Sequence, residues 1–256
     1  MKKLKKYLEF ITEELVDQKM VEINSMIDYT LLEESATTED IKELCQKADQ
    51  LQVKSVCVLP KMVKVAAEEL KESKVLVCTV VSFPGGSDTT ISKLNETQRV
   101  ISDGADEVDM VFNYKMLQKN YEDGYEELLY DVKTLVDECH KHKNKDGEPV
   151  ILKVIVESGL LTEEETETAT KICLDANADF IKTSTGKVSV GAELSKIKVM
   201  FDTIKNSGKE MKIKASGGVR DMSQISQFKP YVDRLGMGYG SVDKLNNLTT
   251  DSKSSY

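Results

Sequence analysis

Along the chain, short runs of apolar and β-branched residues alternate with longer stretches whose apolar positions recur every three to four residues. The short runs predict strands at 23–29, 54–59, 75–82, 106–112, 150–156, 179–183, 211–215 and 232–237. Helical patterns lie between them at 38–50, 61–72, 89–103, 124–141, 162–177, 192–206 and 223–228. Strands that alternate with helices predict a parallel sheet, because each parallel pair needs a crossover connection. At 256 residues a closed α/β barrel of the (β/α)8 (TIM) type fits better than an open doubly wound sheet. An amphipathic helix over 1–20 precedes the first strand. One barrel domain is expected through residue 245, with a polar tail at 246–256.

Three of these strands carry a lysine in an otherwise apolar run. They are Lys153 in Val150-Ile-Leu-Lys-Val-Ile-Val156, Lys182 in Ala178-Asp-Phe-Ile-Lys-Thr-Ser-Thr-Gly186, and Lys214 in Met211-Lys-Ile-Lys-Ala-Ser-Gly-Gly218. A single such lysine could simply extend its head group to solvent over an apolar stem. Three near the same strand ends favour function. Mutual repulsion and burial would both lower their pKa values, leaving a free amine as a nucleophile for a carbonyl substrate. Strand alternation puts Glu107, Asp109 and Val111 on one side and Asp106, Val108 and Met110 on the other. Beside the lysines, Asp109 would stay ionised, either as a plain ion pair or as a proton relay.

In a barrel, ligands bind at the C-terminal ends of the strands. Thr30, Cys57, Asp109 and the three lysines fall at those ends. Two following loops, Thr183-Ser-Thr-Gly-Lys187 and Ser216-Gly-Gly-Val-Arg220, combine glycines with a cation and suit an anion. Neither has the spacing of a nucleotide-binding P-loop.

Composition narrows the alternatives. A net charge of -9 speaks against nucleic acid or membrane as a partner, and no apolar run is long enough to span a bilayer. The basic opening Met1-Lys-Lys-Leu-Lys-Lys leads into Glu9, Glu13 and Glu14 in place of an apolar signal core, so a cytoplasmic location is expected. Five scattered cysteines without Cys-x-x-Cys spacing read as reduced thiols. The only histidines, His140 and His142, sit in a very polar stretch and read as a solvated helix end. No metal and no cofactor are called for.

The segments Ile27-Asp-Tyr-Thr-Leu31, Ser55-Val-Cys-Val-Leu-Pro60, Gly104-Ala-Asp-Glu-Val-Asp109, Leu152-Lys-Val-Ile-Val-Glu157, Asp179-Phe-Ile-Lys-Thr-Ser-Thr-Gly-Lys187 and Lys214-Ala-Ser-Gly-Gly-Val-Arg220 resemble the deoxyribose-phosphate aldolase family, in family order, across nearly the whole chain. That family consists of class I, Schiff-base enzymes with a (β/α)8 fold. The resemblance implies that Lys182 forms the Schiff base, that Lys214 tunes its pKa and exchanges protons, and that Asp109 relays protons. It places Lys153 and Cys57 along the site, Asp28 and Thr30 near substrate hydroxyls, and Gly186, Lys187, Gly217, Gly218 and Gly236 around the 5-phosphate. Tyr256, on the tail, corresponds to a terminal tyrosine that shuttles a proton in some members. The substrates implied are a small phosphosugar and aldehydes, and the assembly a homodimer or homotetramer.

One segment departs from the family pattern. Arg234-Leu-Gly-Met-Gly-Tyr-Gly-Ser241 has Gly238 and Tyr239 where phosphate-binding serines usually fall. This leaves open an aldolase with another acceptor preference, or a phosphate-sugar-binding barrel that has lost catalysis.

Overall fold

The structure is a computed structural model that describes residues 18–118 and 124–246. Eight parallel strands close into a barrel in sequence order. They are β1 (Ile27–Leu31), β2 (Ser55–Val58), β3 (Leu76–Val81), β4 (Glu107–Val111), β5 (Ile151–Ile155), β6 (Phe180–Lys182), β7 (Lys212–Ser216) and β8 (Arg234–Gly238). The helices are α1 (18–24), α2 (Thr38–Leu51), α3 (Val63–Glu69), α4 (Thr90–Ser102), α5 (Lys115–Gln118), α6 (Gly124–His140), α7 (Glu163–Asp175), α8 (Leu194–Ser207), α9 (Met222–Phe228) and α10 (Tyr239–Leu245).

Seven strands match their predicted positions to within about two residues. The first does not. Residues 18–24 are helical, and β1 begins only at Ile27. The apolar residues at 21 and 23 belong to the last turn of α1, and a short apolar run cannot by itself distinguish the end of a helix from a strand. The sequence pattern predicts neither α5, which is four residues long, nor α10, whose first turn carries Gly240.

Alternation along the strands sorts the side chains into two populations. Outward residues such as Tyr29, Val56, Val77, Val108, Met110, Val154, Ile181, Ile213 and Leu235 join the helices in one buried apolar core. The inward positions carry charge instead of the branched apolar residues that usually fill a barrel. Asp28, Glu107, Asp109, Lys153, Lys182, Lys214 and Arg234 are all buried.

A repeated device closes the opposite end of the barrel. The aspartate just before β4, β6 and β8 accepts a hydrogen bond from a backbone N–H of the preceding strand. Asp106 accepts from Val77, Asp179 from Leu152 and Asp233 from Ile213, at 2.8, 2.8 and 2.9 Å. Helix starts are capped in the ordinary way. Thr37 and Thr162 form capping boxes with Asp40 and Glu165. The last helix, α10, is tied back to the barrel where the Tyr29 hydroxyl donates to Asp243, which also pairs with Lys47 at 3.1 Å.

Candidate active site

The register of neighbouring strands brings the charged side chains into contact. Asp109 lies opposite Lys153, and Lys182 lies opposite Lys214. All three lysines turn inward: Lys153 and Lys214 are 0 % exposed and Lys182 is 4 % exposed, so none reaches solvent as an isolated strand-end lysine would.

Asp109 is the hub. Its Oδ2 accepts from Lys182 Nζ at 2.6 Å and from Lys214 Nζ at 2.7 Å. Its Oδ1 accepts from Lys153 Nζ at 2.9 Å and from the Cys78 thiol at 3.2 Å. A second layer lies deeper in the barrel. Lys214 also donates to Asp28, Lys153 donates to Glu107 at 2.7 Å, and Arg234 pairs with both Asp28 and Glu107. The Ser55 hydroxyl completes the shell of Asp28 at 2.8 Å.

These contacts reverse one expectation. Burial by itself does lower the pKa of Lys153 and Lys214. Asp109 and its neighbouring carboxylates outweigh it, however, and hold both lysines above the ordinary lysine value. Both therefore stay protonated at neutral pH, which suits them to hold and return protons and not to attack. Asp28, Glu107 and Asp109 show the mirror effect. Burial raises their pKa values, but the lysines and Arg234 lower them further, and each ends below the usual carboxylate range.

A carboxylate with a depressed folded-state pKa contributes stability that is present above its unfolded pKa of about 4 and is lost as pH falls towards the folded value. The raised lysines contribute stability that persists up to about pH 10.4 and fades only beyond it. Urea midpoints should therefore fall steadily from about pH 4 downward. Midpoints that stay level between pH 5 and pH 2.5 would contradict this assignment.

The structure brings Asp28, Cys57, Asp109, Lys153, Lys182 and Lys214 together, with Thr30 half-buried at the rim, where its hydroxyl donates to Asp28 O at 2.9 Å. Asp28 and Lys153 are fully buried and join the network through Lys214 and Asp109. Gly236 borders Lys214: a Cβ there would stand 3.0 Å from Lys214 Cε and 2.7 Å from Ser216 Cβ. Its place is to make room for the lysine.

Gly186, Lys187, Gly217 and Gly218 form an adjacent rim. The β6 and β7 loops are joined where Ala192 N donates to Gly217 O at 2.9 Å and Ser216 Oγ donates to Ser184 O at 2.6 Å. Gly217 needs its missing side chain, since its φ is +84° and a Cβ would press on Ser184. Lys187 reaches across to Leu32 O at 3.2 Å. A cavity of about 670 Å³ opens beside this rim, walled by Leu32, Leu59, Val80, Phe83 and Lys187 among others. Lys182, Asp109 and Lys214 are not part of its lining.

Tyr256 lies outside the described residues. His140 ends α6 exposed beside Asp179, as a solvated helix end should. The sequence pattern does not assign Arg234, Glu107 or Cys78 to the site, yet all three belong to it. The signal for Glu107 was present, since it shares a strand face with Asp109, and Arg234 is a charge at the head of an apolar strand.

A family model described as DeoC/LacD family aldolase matches residues 14–233. A deoxyribose-phosphate aldolase of Mycoplasmoides pirum is 42% identical over 83% of this chain and 92% of its own length. One from Staphylococcus carnosus is 40% identical over 88% of this chain and 96% of its own. Among solved structures, an aldolase named QR15 superposes with a TM-score of 0.77 at 32% identity, covering 89% of this chain and 97% of that one. A tetrameric deoxyribose phosphate aldolase from Aeropyrum pernix, at 24% identity and a TM-score of 0.75, shares the fold.

Proposed function

The chain belongs to the DeoC/LacD aldolase family, and from that premise we propose that it cleaves 2-deoxy-D-ribose 5-phosphate reversibly to acetaldehyde and D-glyceraldehyde 3-phosphate. The observation that carries the chemistry is the single carboxylate oxygen of Asp109 that accepts from both Lys182 and Lys214.

Of the three buried lysines Lys182 alone keeps some exposure, and it acts as the nucleophile. Its amine adds to the C1 aldehyde of the open-chain sugar, and loss of water leaves an iminium. The C3 hydroxyl then gives up its proton, the C2–C3 bond breaks, and its electrons move into the iminium to form an enamine. Glyceraldehyde 3-phosphate leaves. Protonation at C2 and hydrolysis free acetaldehyde and return Lys182. Asp109 Oδ2 connects the nitrogen that loses protons to the Lys214 ammonium that can return them. Lys153 and Arg234 neutralise the carboxylates that hold this pair in place.

The phosphate is assigned to the rim of Gly186, Lys187, Gly217 and Gly218, where backbone amides and one ammonium meet an anion. Thr30 faces the substrate hydroxyls. Cys57 lines the site, and Tyr256 is assigned a proton-shuttle role on the tail. The acidic charge and reduced thiols support a cytoplasmic enzyme, which we take to be a homodimer or homotetramer. No helix among the described residues is long and apolar enough to cross a membrane.

The test is direct. Incubation with 2-deoxy-D-ribose 5-phosphate should release glyceraldehyde 3-phosphate, measured by coupled reduction, and borohydride should trap an adduct. Folded protein that releases neither product and traps nothing would end the aldolase reading.

The departure after β8 gives a second prediction. Gly238 has an ordinary φ of −61°, and a Cβ there would meet no atom within 4 Å. A serine fits without strain. Gly238→Ser should lower KM about tenfold, the worth of roughly one hydrogen bond to a charged group, with kcat little changed. An unchanged KM would mean that the phosphate lies away from this turn.

A further inference from the structure

Parallel pairing of β2 with β3 sets Cys57 directly opposite Cys78. Both side chains turn into the barrel, where they pack with Leu32, Leu59, Val80 and Phe83 in a small apolar cluster separate from the main core. The two sulfurs and an Asp109 oxygen all lie within 4.8 Å of one another. Neighbouring strands run about 4.7–4.9 Å apart, inside the range of about 4.4–6.8 Å between Cα atoms that a disulfide spans. The same Leu32, Leu59, Val80 and Phe83 wall the open cavity, so one layer of side chains separates the sulfurs from space that admits small molecules.

The two thiols are unlike. Contact with the Cys78 sulfur, helped by Lys214, holds the Cys57 thiol below its usual pKa, whereas burial pushes Cys78 well up. Cys78 donates to Asp109 Oδ1 at 3.2 Å, so its proton is already hydrogen-bonded into the lysine–carboxylate network. Cys45, Cys139 and Cys173 lie in the main core, and burial pushes their thiols up, Cys45 to about 12. Thiolate character controls which cysteine reacts.

We propose that Cys57 and Cys78 form a dithiol modification site, which small hydroperoxides entering from the cavity convert to a disulfide that shuts down the neighbouring lysine–carboxylate network. The Cys57 thiolate attacks the terminal oxygen of ROOH. The O–O bond breaks, the alkoxide takes up a proton and leaves as ROH, and Cys57 becomes a sulfenic acid. Cys78 then attacks the Cys57 sulfur, passing its proton through Asp109 to the departing hydroxide, which leaves as water. Two thiols have lost two electrons and two protons; the hydroperoxide has become an alcohol and water.

To form the bond, Cys78 must leave Asp109 Oδ1 and the Lys153 ammonium, which stands 3.3 Å from its sulfur. That disturbs the carboxylate that Lys182 and Lys214 share. Inward side chains on adjacent parallel strands also keep Cβ atoms near the strand spacing, longer than the mean of about 3.8 Å for disulfides. The bond is therefore strained and open to reduction by a dithiol.

The test is to treat the full chain with tert-butyl hydroperoxide and map a non-reduced digest by mass spectrometry. The expected product is a 2 Da loss and a cross-linked peptide pair joining Cys57 to Cys78. Deoxyribose-phosphate cleavage should fall at least tenfold, and dithiothreitol should restore both mass and activity. In Cys78→Ala the cross-link should be absent and Cys57 should advance to the sulfinic acid, which dithiothreitol does not reverse. The wild-type map decides the matter even if that variant does not fold. Oxidation of Cys57 alone, a cross-link between other cysteines, or unmodified protein would each overturn the proposal. Because the mass map needs no substrate, it fails or succeeds independently of the aldolase assignment.

Discussion

Replacing Lys182 with alanine is expected to lower kcat by at least about 10⁴-fold and to leave the protein folded. The covalent path is lost with the nucleophile, and neither remaining lysine can take its place. Lys153 and Lys214 are fully buried and are held protonated by Asp109 and its companion carboxylates. The fold should tolerate the change because Asp109 keeps Lys214 on one oxygen and Lys153 and Cys78 on the other. The measurement pairs steady-state kinetics with borohydride trapping in the presence of 2-deoxy-D-ribose 5-phosphate. The wild type should carry the adduct on Lys182 and the variant should carry none. A trapped adduct on Lys214 with substantial residual turnover would move the Schiff base one strand along the barrel.

The second large effect concerns Asp109. Asparagine has nearly the same shape but removes the negative charge on which Lys153, Lys182 and Lys214 converge. Breaking a buried pair from one side leaves charge uncompensated, at a cost of about 3–5 kcal/mol. In a chain of this size that should lower Tm on the order of 10 °C. Loss of the proton connection between Lys182 and Lys214 should also reduce kcat by about 10²–10⁴-fold. The two losses have separate readouts, calorimetry for the first and single-turnover cleavage below the new Tm for the second. If Asp109→Asn kept the wild-type Tm, the buried ammoniums would not depend on this carboxylate. If it kept kcat within a few-fold, the proton would travel by another route.

Both predictions concern residues that stand out in the sequence, because a charge inside an apolar strand is conspicuous without any knowledge of its neighbours. Lys182, Lys214 and Asp109 were legible for that reason, and the order of strands and helices was legible from periodicity alone. The lysine pKa values were not. Counting three lysines predicts mutual repulsion, whereas the folded interior pairs them with Asp28, Glu107 and Asp109, and the sign of the shift on Lys153 and Lys214 reverses.

Cys57 and Cys78 show the same limit. In sequence they are two of five scattered cysteines; in the barrel they share one rung of β2 and β3. Arg234 opens a strand that reads as apolar, and only closure of β8 against β1 places it on Asp28.

By itself, then, the sequence determined the alternation of strands and helices, the division of β4 into two faces, and which strands carry charge, because all of these can be read within a single element. The tertiary structure alone decided which charges meet. Lys214 contacts Asp28 and Asp109 from 186 and 105 positions away, and Arg234 contacts Asp28 across 206. Electrostatic energy depends on distance in space and on exclusion of water, and neither exists for these groups until the barrel has closed.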